Sequence, residues 1–324
     1  MPAYTAVGGR TRLGSTGLSA VLLNRPGRHP RYGLFQELEK AGFDYVISVE
    51  NTRERYDVED LSIRFPFVRF VLLNEPLNPG GQINLAASEL SEPLFIVLWN
   101  DIGILSGQAA PMAERLFLGA EERKKAGASG SALRRLCTVP VMQNSRFETI
   151  PTLVAPVVFK NTIKTLFFSP RREGHRSLYP FDGVGIYDRE RFIRLGGYDT
   201  TLDNGYWQLM DFGFRACLWG EEIASTQHVK LAYEGDTPVE DNTAGESYRR
   251  FYLKNLAPVF RGGAARLPLL RFSGYLLRSG GDPLTAWEHF AEGRRWVRLN
   301  RYRWITDARS VAESWEDAGE TAGS

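Results

Sequence analysis

The sequence predicts an α/β protein with a mostly parallel central sheet flanked by helices, a smaller antiparallel part and a helical C-terminal extension. Three observations carry this. Four short apolar runs alternate with helical patterns through the first hundred residues, the alternation breaks down after Asp101, and the last sixty residues change composition. Strands alternating with helices are the pattern of βαβ units, and so of parallel pairing with right-handed crossovers.

The elements follow in order. Leu18–Leu23 (LSAVLL) is apolar throughout, as a strand buried on both faces must be. Residues 31–41 place Leu34, Phe35 and Leu38 on one helical face, and Gly42 ends that helix. Residues 44–49, 68–73 and 94–99 (DYVISV, VRFVLL, LFIVLW) are three further strands. Residues 80–90 form the helix between the last two, with Ile83, Leu85, Ala86, Ala87 and Leu90 inward. Beyond Asp101, residues 119–131 (GAEERKKAGASGS) read as a helix end and a loop. Residues 139–168, interrupted by Pro140, Pro151 and Pro156, read as irregular or antiparallel strands. Residues 181–187 are a strand and Arg189–Leu195 a short helix closed by Gly196 and Gly197. Residues 206–219 carry Trp207, Met210, Phe214 and Leu218 at helical spacing, with Gly220 as the stop. The expected organisation is a tail over 1–16, two halves of one domain over 17–110 and 111–260, and a basic helical extension with a flexible end over 261–324.

At 324 residues, with 43% hydrophobic and 24% charged, the chain has enough apolar material for a full core and is neither disordered nor fibrous. A net charge of +2 argues against a dedicated nucleic-acid binder. Cys137 and Cys217 make no disulfide framework, and no apolar run approaches ~18 residues. The expected protein is soluble and cytoplasmic. Residues 262–303 are the exception to the balanced charge, with eight arginines against three acids, a local +5. Within them the run from Arg294 to Trp304 (RRWVRLNRYRW) is either an amphipathic helix for an anionic membrane face or a lipid-linked acceptor, or a helix packed back on the domain.

In an open parallel sheet ligands sit beyond the carboxyl ends of the strands. Those ends here are Asn24 and Arg25, Glu50 and Asn51, Asn74 and Glu75, and Asn100 and Asp101. All are polar, which points to a hydrogen-bonding ligand. The NPGGQIN segment adds paired glycines at a helix N-terminus, where backbone N–H groups can approach an anion. Neither GxGxxG nor a Walker A loop occurs. Asp101 closes its strand as a possible ligand for a hard cation. Asp211 lies on an otherwise apolar helix, so it faces solvent, pairs with Arg215 one turn on, or lines a site.

Taken together, NPGGQINLA, LFIVLWND, FDGVGIYDRERFIRLGGYD and WQLMDFGFRACLWG resemble, in order and spacing over about residues 17–255, the family 2-type glycosyltransferases with a Rossmann-like GT-A fold. The resemblance implies transfer of a sugar from a nucleotide diphospho-sugar, with a UDP-sugar favoured, to a glycan or lipid-linked hydroxyl acceptor. It implies inversion at the sugar carbon and a setting in surface-glycan or polysaccharide synthesis. Carried residue by residue, it puts nucleotide binding on Asn24, Glu50, Asn51, Gly81, Asn84, Asn100 and Asp101. Mg²⁺ or Mn²⁺ falls on Asp101, the survivor of an Asp-x-Asp motif that reads Trp99-Asn100-Asp101, with His228 or Glu234 competing for a later position. The catalytic base falls on Asp211. The alternatives are a noncatalytic nucleotide-sugar or glycan-binding module and, more distantly, a nucleotidyltransferase with residues 24–30 as its phosphate loop. Trp207 reads as core or as a sugar platform, and His29, His175 and His289 show no ligand spacing.

Overall fold

The computed structural model describes residues 2–25, 31–51, 57–104, 109–125, 135–159, 162–279 and 282–320. In chain order these form β1 (Tyr4–Gly8), β2 (Leu18–Leu23), α1 (Arg31–Ala41), β3 (Val46–Glu50), α2 (Val58–Arg64), β4 (Val68–Leu73), α3 (Pro79–Glu89), β5 (Leu94–Trp99), β6 (Ile102–Gly103) and α4 (Ala109–Lys125). There follow β7 (Cys137–Gln143), β8 (Leu153–Phe159), β9 (Thr162–Phe168), β10 (Gly185–Asp188), α5 (Arg189–Leu195), α6 (Gly205–Leu218), β11 (Ile223–Tyr233) and α7 (Glu246–Phe251). The chain ends in β12 (Val259–Arg261), β13 (Ala264–Arg266), α8 (Arg271–Ser279), α9 (Pro283–Asn300) and α10 (Ala308–Glu320).

The main sheet has the order β1-β4-β3-β2-β5-β10-β7-β11-β6. The predicted parallel block is there: β2 pairs in parallel with both β3 and β5, and β3 with β4. Each of these strands is wholly or almost wholly buried, as covering on both faces requires. The order doubles back at β2, with β3 and β4 on one side and β5 on the other. A crevice therefore opens between the carboxyl ends of β2 and β5.

Several elements depart from the sequence reading. β1 is a half-exposed edge strand antiparallel to β4, inside the segment read as a tail. β7 runs parallel to β11, while β10 is antiparallel to both β5 and β7. Only β8 and β9 make the separate antiparallel pair that the proline-broken stretch suggested. The eleven-residue β11 escapes notice because its register slips between Ser225 and Lys230, which interrupts the alternation. Residues 126–131 of the predicted loop and 26–30 of the suggested phosphate loop lie outside the described residues.

A second apolar cluster lies behind the sheet and explains the composition of α6. Phe212 and Ala216 face the sheet core, while Trp207, Met210, Phe214 and Leu218 face a cluster shared with Phe251, Phe290, Val297, Trp304 and Val311. A helix apolar on every side is a buried helix. The arginine-rich extension thus closes onto the domain, with Trp296 stacked on Trp219 at 5.9 Å and Arg303 over Trp219 at 3.8 Å. Arg294, Arg295, Arg298 and Tyr302 remain exposed on the outer face of α9 and just beyond it. No helix among the described residues is long and apolar enough to cross a membrane.

Candidate functional site

The switch point between β2 and β5 brings two chain ends into register. Leu23 stands opposite Trp99, so Asn24 and Arg25 emerge beside Asn100 and Asp101. The Asn100 side chain accepts from the Arg25 backbone N–H at 3.0 Å, which fixes where that residue leaves the sheet. Arg25 Nε then donates to Asp101 at 3.1 and 3.3 Å, and its terminal nitrogen pairs with Asp182. The guanidinium lies over the Trp99 ring at 4.0 Å. Trp99 Nε1 donates to the Asp182 carbonyl at 2.9 Å, and Tyr233 donates its hydroxyl to the Asp182 carboxylate at 3.0 Å. Asp182 adopts a left-handed backbone (φ 57°), uncommon outside glycine and tolerated best by Asn and Asp. Burial raises its carboxyl to about 6 against the pull of Arg25.

The other residues expected to bind nucleotide fall into two groups. Asn24, Asn100 and Asp101 sit together at the switch point, with Asn24 donating to Val49 O at 3.0 Å and so joining the ends of β2 and β3. Glu50 and Asn51 end β3 but are turned toward protein partners. Both Glu50 oxygens accept from Arg31 at 2.6 and 2.7 Å, and Ser48 adds a third bond. Asn51 exchanges two hydrogen bonds with the Leu77 backbone, holding the entry to α3. On α3, Asn78 caps the helix by accepting from Gly81 N at 2.9 Å. Asn84 exchanges two bonds with the backbone of Tyr198, clamping α3 to the Gly196-Gly197 turn. Gly80 lets α6 approach: a Cβ there would lie 2.6 Å from Tyr198 Cβ, and its N–H donates to Gln208 at 3.1 Å.

Asp211 is not part of the crevice. It is 0 % exposed, and its oxygens accept from Arg215 at 2.6 Å, Asn255 at 2.8 Å and Lys254 at 2.9 Å. Burial works to raise its pKa, but Arg215 and Lys254 overcome that and hold the carboxyl below its ordinary value. Arg215 also donates to Leu195 O and Gly197 O, and Lys254 to Asp199 at 2.5 Å. Asp211 is thus the hub of an ion-pair network tying α6 to the turn after α5 and to the continuation of α7. The i+4 pairing, among the readings left open by the sequence, is the one the fold uses. The α6 positions that do face the crevice are Gly205, Tyr206, Gln208 and Leu209.

Asp101 is engaged by Arg25, and Trp99 holds the other motif position. His228 is exposed at the slip in β11, five residues before Tyr233, the residue that pairs with the strand beside Asp101. Extended chain spans about 16 Å over five residues. Glu234 lies closer, its N–H donating to Asp101 O at 2.9 Å, but no group of three His, Cys, Asp or Glu among the described residues is arranged to hold a metal ion. Of the expected ligands Asp101 stands at the switch point, where one carboxylate with diphosphate oxygens and water would complete the shell of Mg²⁺ or Mn²⁺.

In front of Arg25 is a cavity of about 250 Å³ between Trp99, Gly80, Tyr206, Leu209 and the segment at Pro238 to Asp241. Sequence reasoning missed two of its residues. Asp182 lies in a stretch quoted for resemblance but carries no periodic signal of its own. Glu240 sits in a loop with no pattern around it. It accepts from Tyr179 at 2.8 Å through Oε2, and burial raises its carboxyl to about 7.

No protein-family model matches the chain, and no curated protein matches it in sequence. Solved structures do. The chain superposes on GalNAc-T7, crystallised with UDP, GalNAc and Mn²⁺, with a TM-score of 0.54 at 12% identity over 89% of this chain. It spans 57% of that protein's length. It also superposes on residues 1–349 of S. aureus TarS in complex with UDP-GlcNAc, with a TM-score of 0.50 at 10% identity over 85% of this chain and 71% of that one. Identities this low speak to architecture alone, and the architecture common to all three is the GT-A fold that the sequence resemblance implies.

Proposed function

We propose that the crevice between β2 and β5 binds a nucleotide diphospho-sugar and transfers its sugar to a hydroxyl acceptor. One observation carries this reading. A guanidinium stands at the switch point, the place where an open α/β sheet receives its ligand. It is fixed there by Asn100, by the carboxylates of Asp101 and Asp182 and by the face of Trp99, with a cavity in front of it. Sugar transfer develops negative charge on the departing diphosphate, and a preorganised cation at that point lowers the barrier without rearranging during the reaction. The solved structures of GalNAc-T7 and TarS, which hold UDP and UDP-GlcNAc respectively, support this ligand class for a fold of this shape. A UDP-sugar is the first donor to try.

Arg25 supplies the positive charge in this reading, and no step runs through a metal ion. The reaction inverts the anomeric centre, with the acceptor hydroxyl approaching opposite the diphosphate. The acceptor is a glycan or lipid-linked hydroxyl in surface-glycan synthesis, a setting that rests on the sequence resemblance. The exposed arginine face of α9 would bring the enzyme to an anionic membrane surface carrying such an acceptor.

Titration calorimetry with UDP, GDP, CDP and dTDP tests the donor site. The expected result is binding of one diphosphate that survives EDTA and falls ~10–100-fold in Arg25→Ala, as loss of charge-assisted hydrogen bonds requires. Binding abolished by EDTA refutes the role of Arg25, and no binding of any diphosphate refutes the donor site. A second reading, a noncatalytic nucleotide-sugar-binding module, is favoured by the removal of Asp211 from the crevice. It predicts diphosphate binding without turnover.

A further inference from the structure

The network around Asp211 leaves the crevice without the proton acceptor that the sequence suggested, and the cavity walls hold a replacement. We infer that Glu240 is the general base of the transfer reaction, receiving the acceptor's proton on Oε1. This rests on the proposed donor site and names a residue of the same crevice.

The geometry is specific. Glu240 lines the cavity that also holds Arg25, Trp99 and Asp182. Its Oε2 is anchored by the Tyr179 hydroxyl, which fixes the carboxylate plane. Its Oε1 is buried and has no hydrogen-bond partner among the described residues. A buried, unpaired carboxylate oxygen is costly to maintain, and an acceptor hydroxyl that displaced the packing over Oε1 from the cavity side would satisfy it. The other carboxylates nearby are unsuited to the role. Asp182 and Asp101 are spent on Arg25, and Asp211 is sealed in its own network.

In the reaction the acceptor O–H bond breaks and its proton passes to Glu240 Oε1. The acceptor oxygen forms the new bond to the anomeric carbon, and the bond from that carbon to the diphosphate oxygen breaks. The electron pair leaves with the diphosphate toward Arg25. Glu240 is suited to this at neutral pH because burial, with a smaller contribution from Asp182, brings its carboxyl to about 7 while Tyr179 pulls it down. The charged and titratable groups facing it are Tyr179, Tyr206, Asp182 and, across the cavity, Arg25, with Asp241 the next residue along the chain. A base must be deprotonated to act, so kcat/KM should rise with pH through about 7 and level off above it.

The test measures UDP release from UDP-sugars, with water and with simple glycoside acceptors, between pH 5 and pH 9, alongside calorimetric donor binding. Glu240→Gln should keep donor binding within about threefold, lose ~10²–10⁴-fold in turnover and lose the acidic limb of the profile. Tyr179→Phe removes the hydrogen bond that lowers the Glu240 pKa, so it should move that limb to higher pH in a folded enzyme. Wild-type turnover and an unchanged profile in Glu240→Gln, or an unmoved limb in Tyr179→Phe, overturn the assignment. Wild-type protein that binds a UDP-sugar but never turns it over overturns the base and leaves the donor site standing. Wild-type protein that binds no nucleotide sugar overturns the donor site itself.

Discussion

Asp211→Asn separates a positioning role from a catalytic one most sharply. The substitution keeps the shape and removes the charge, so Arg215 and Lys254 lose a common counter-ion inside a fully buried site. Breaking a buried pair by removing one partner costs about 3–5 kcal/mol. The low end applies here, because Lys254 keeps Asp199 at 2.5 Å and Arg215 keeps two carbonyls at 2.9 and 2.7 Å. About 3 kcal/mol corresponds to a fall in Tm of about 6–12 °C at the 2–4 °C per kcal/mol typical of large domains. Differential scanning fluorimetry reads the shift, and turnover measured well below the lowered Tm reads the chemistry. The structure requires a large loss of stability with turnover per folded molecule reduced at most severalfold. A protein of wild-type Tm with turnover abolished would refute the reasoning and return Asp211 to the role of base.

Two further outcomes follow from packing and from charge. Gly80→Ala drives a Cβ to 2.6 Å from Tyr198 and 2.9 Å from Gln208, so overpacking should cost about 1–3 kcal/mol in urea unfolding; Gly33→Ala on α1, with open space around it, should instead gain about 0.5–1 kcal/mol. Wild-type protein should co-sediment with vesicles containing anionic phospholipid and not with neutral ones, and Arg295→Glu with Arg298→Glu should weaken this at least tenfold at about 1 kcal/mol per basic residue; sedimentation that ignores lipid charge and salt would remove the membrane role of the α9 face.

How much of this was legible in the sequence depended on the kind of signal each residue left. The parallel strands were readable because burial on both faces forces unbroken apolar runs such as LSAVLL and LFIVLW. The switch-point residues were readable because strand ends are fixed once the strands are. β1 and β11 were not readable, one being a half-exposed edge and the other broken by a register slip. Glu50, Asn51 and Asn84 were polar in the right places, but sequence cannot show whether a polar side chain faces a ligand or a neighbouring backbone. In each case the fold supplied the neighbour. Asp211 was ambiguous for a similar reason. A lone carboxylate in an apolar helix signals a function or a buried partner, and the partner Lys254 comes from 43 residues further on, beyond the reach of local pattern. Glu240 had no signal because it depends on contact with Tyr179, 61 residues away.

Trp99 looks, in the sequence alone, like simple damage to a metal motif, yet its two contacts argue for a substitution of one cation by another. A carboxylate at this position would add negative charge beside Asp101 and Asp182 and favour a divalent ion. An indole there instead offers a face to a guanidinium, worth about 0.5–2 kcal/mol when water is excluded, and an N–H that pins the Asp182 carbonyl. Arg25 answers both remaining carboxylates at once, which a Lys ammonium could not do with the same fixed fork. The pair Trp99 and Arg25 therefore acts as a unit. Arg25→Lys should lose most of the diphosphate affinity despite keeping the charge, and Trp99→Asp should convert diphosphate binding from EDTA-insensitive to Mn²⁺-dependent. If Trp99→Asp leaves binding unchanged and indifferent to Mn²⁺, Trp99 is only packing, and the cation at the switch point owes its place to Asp101 and Asp182 alone.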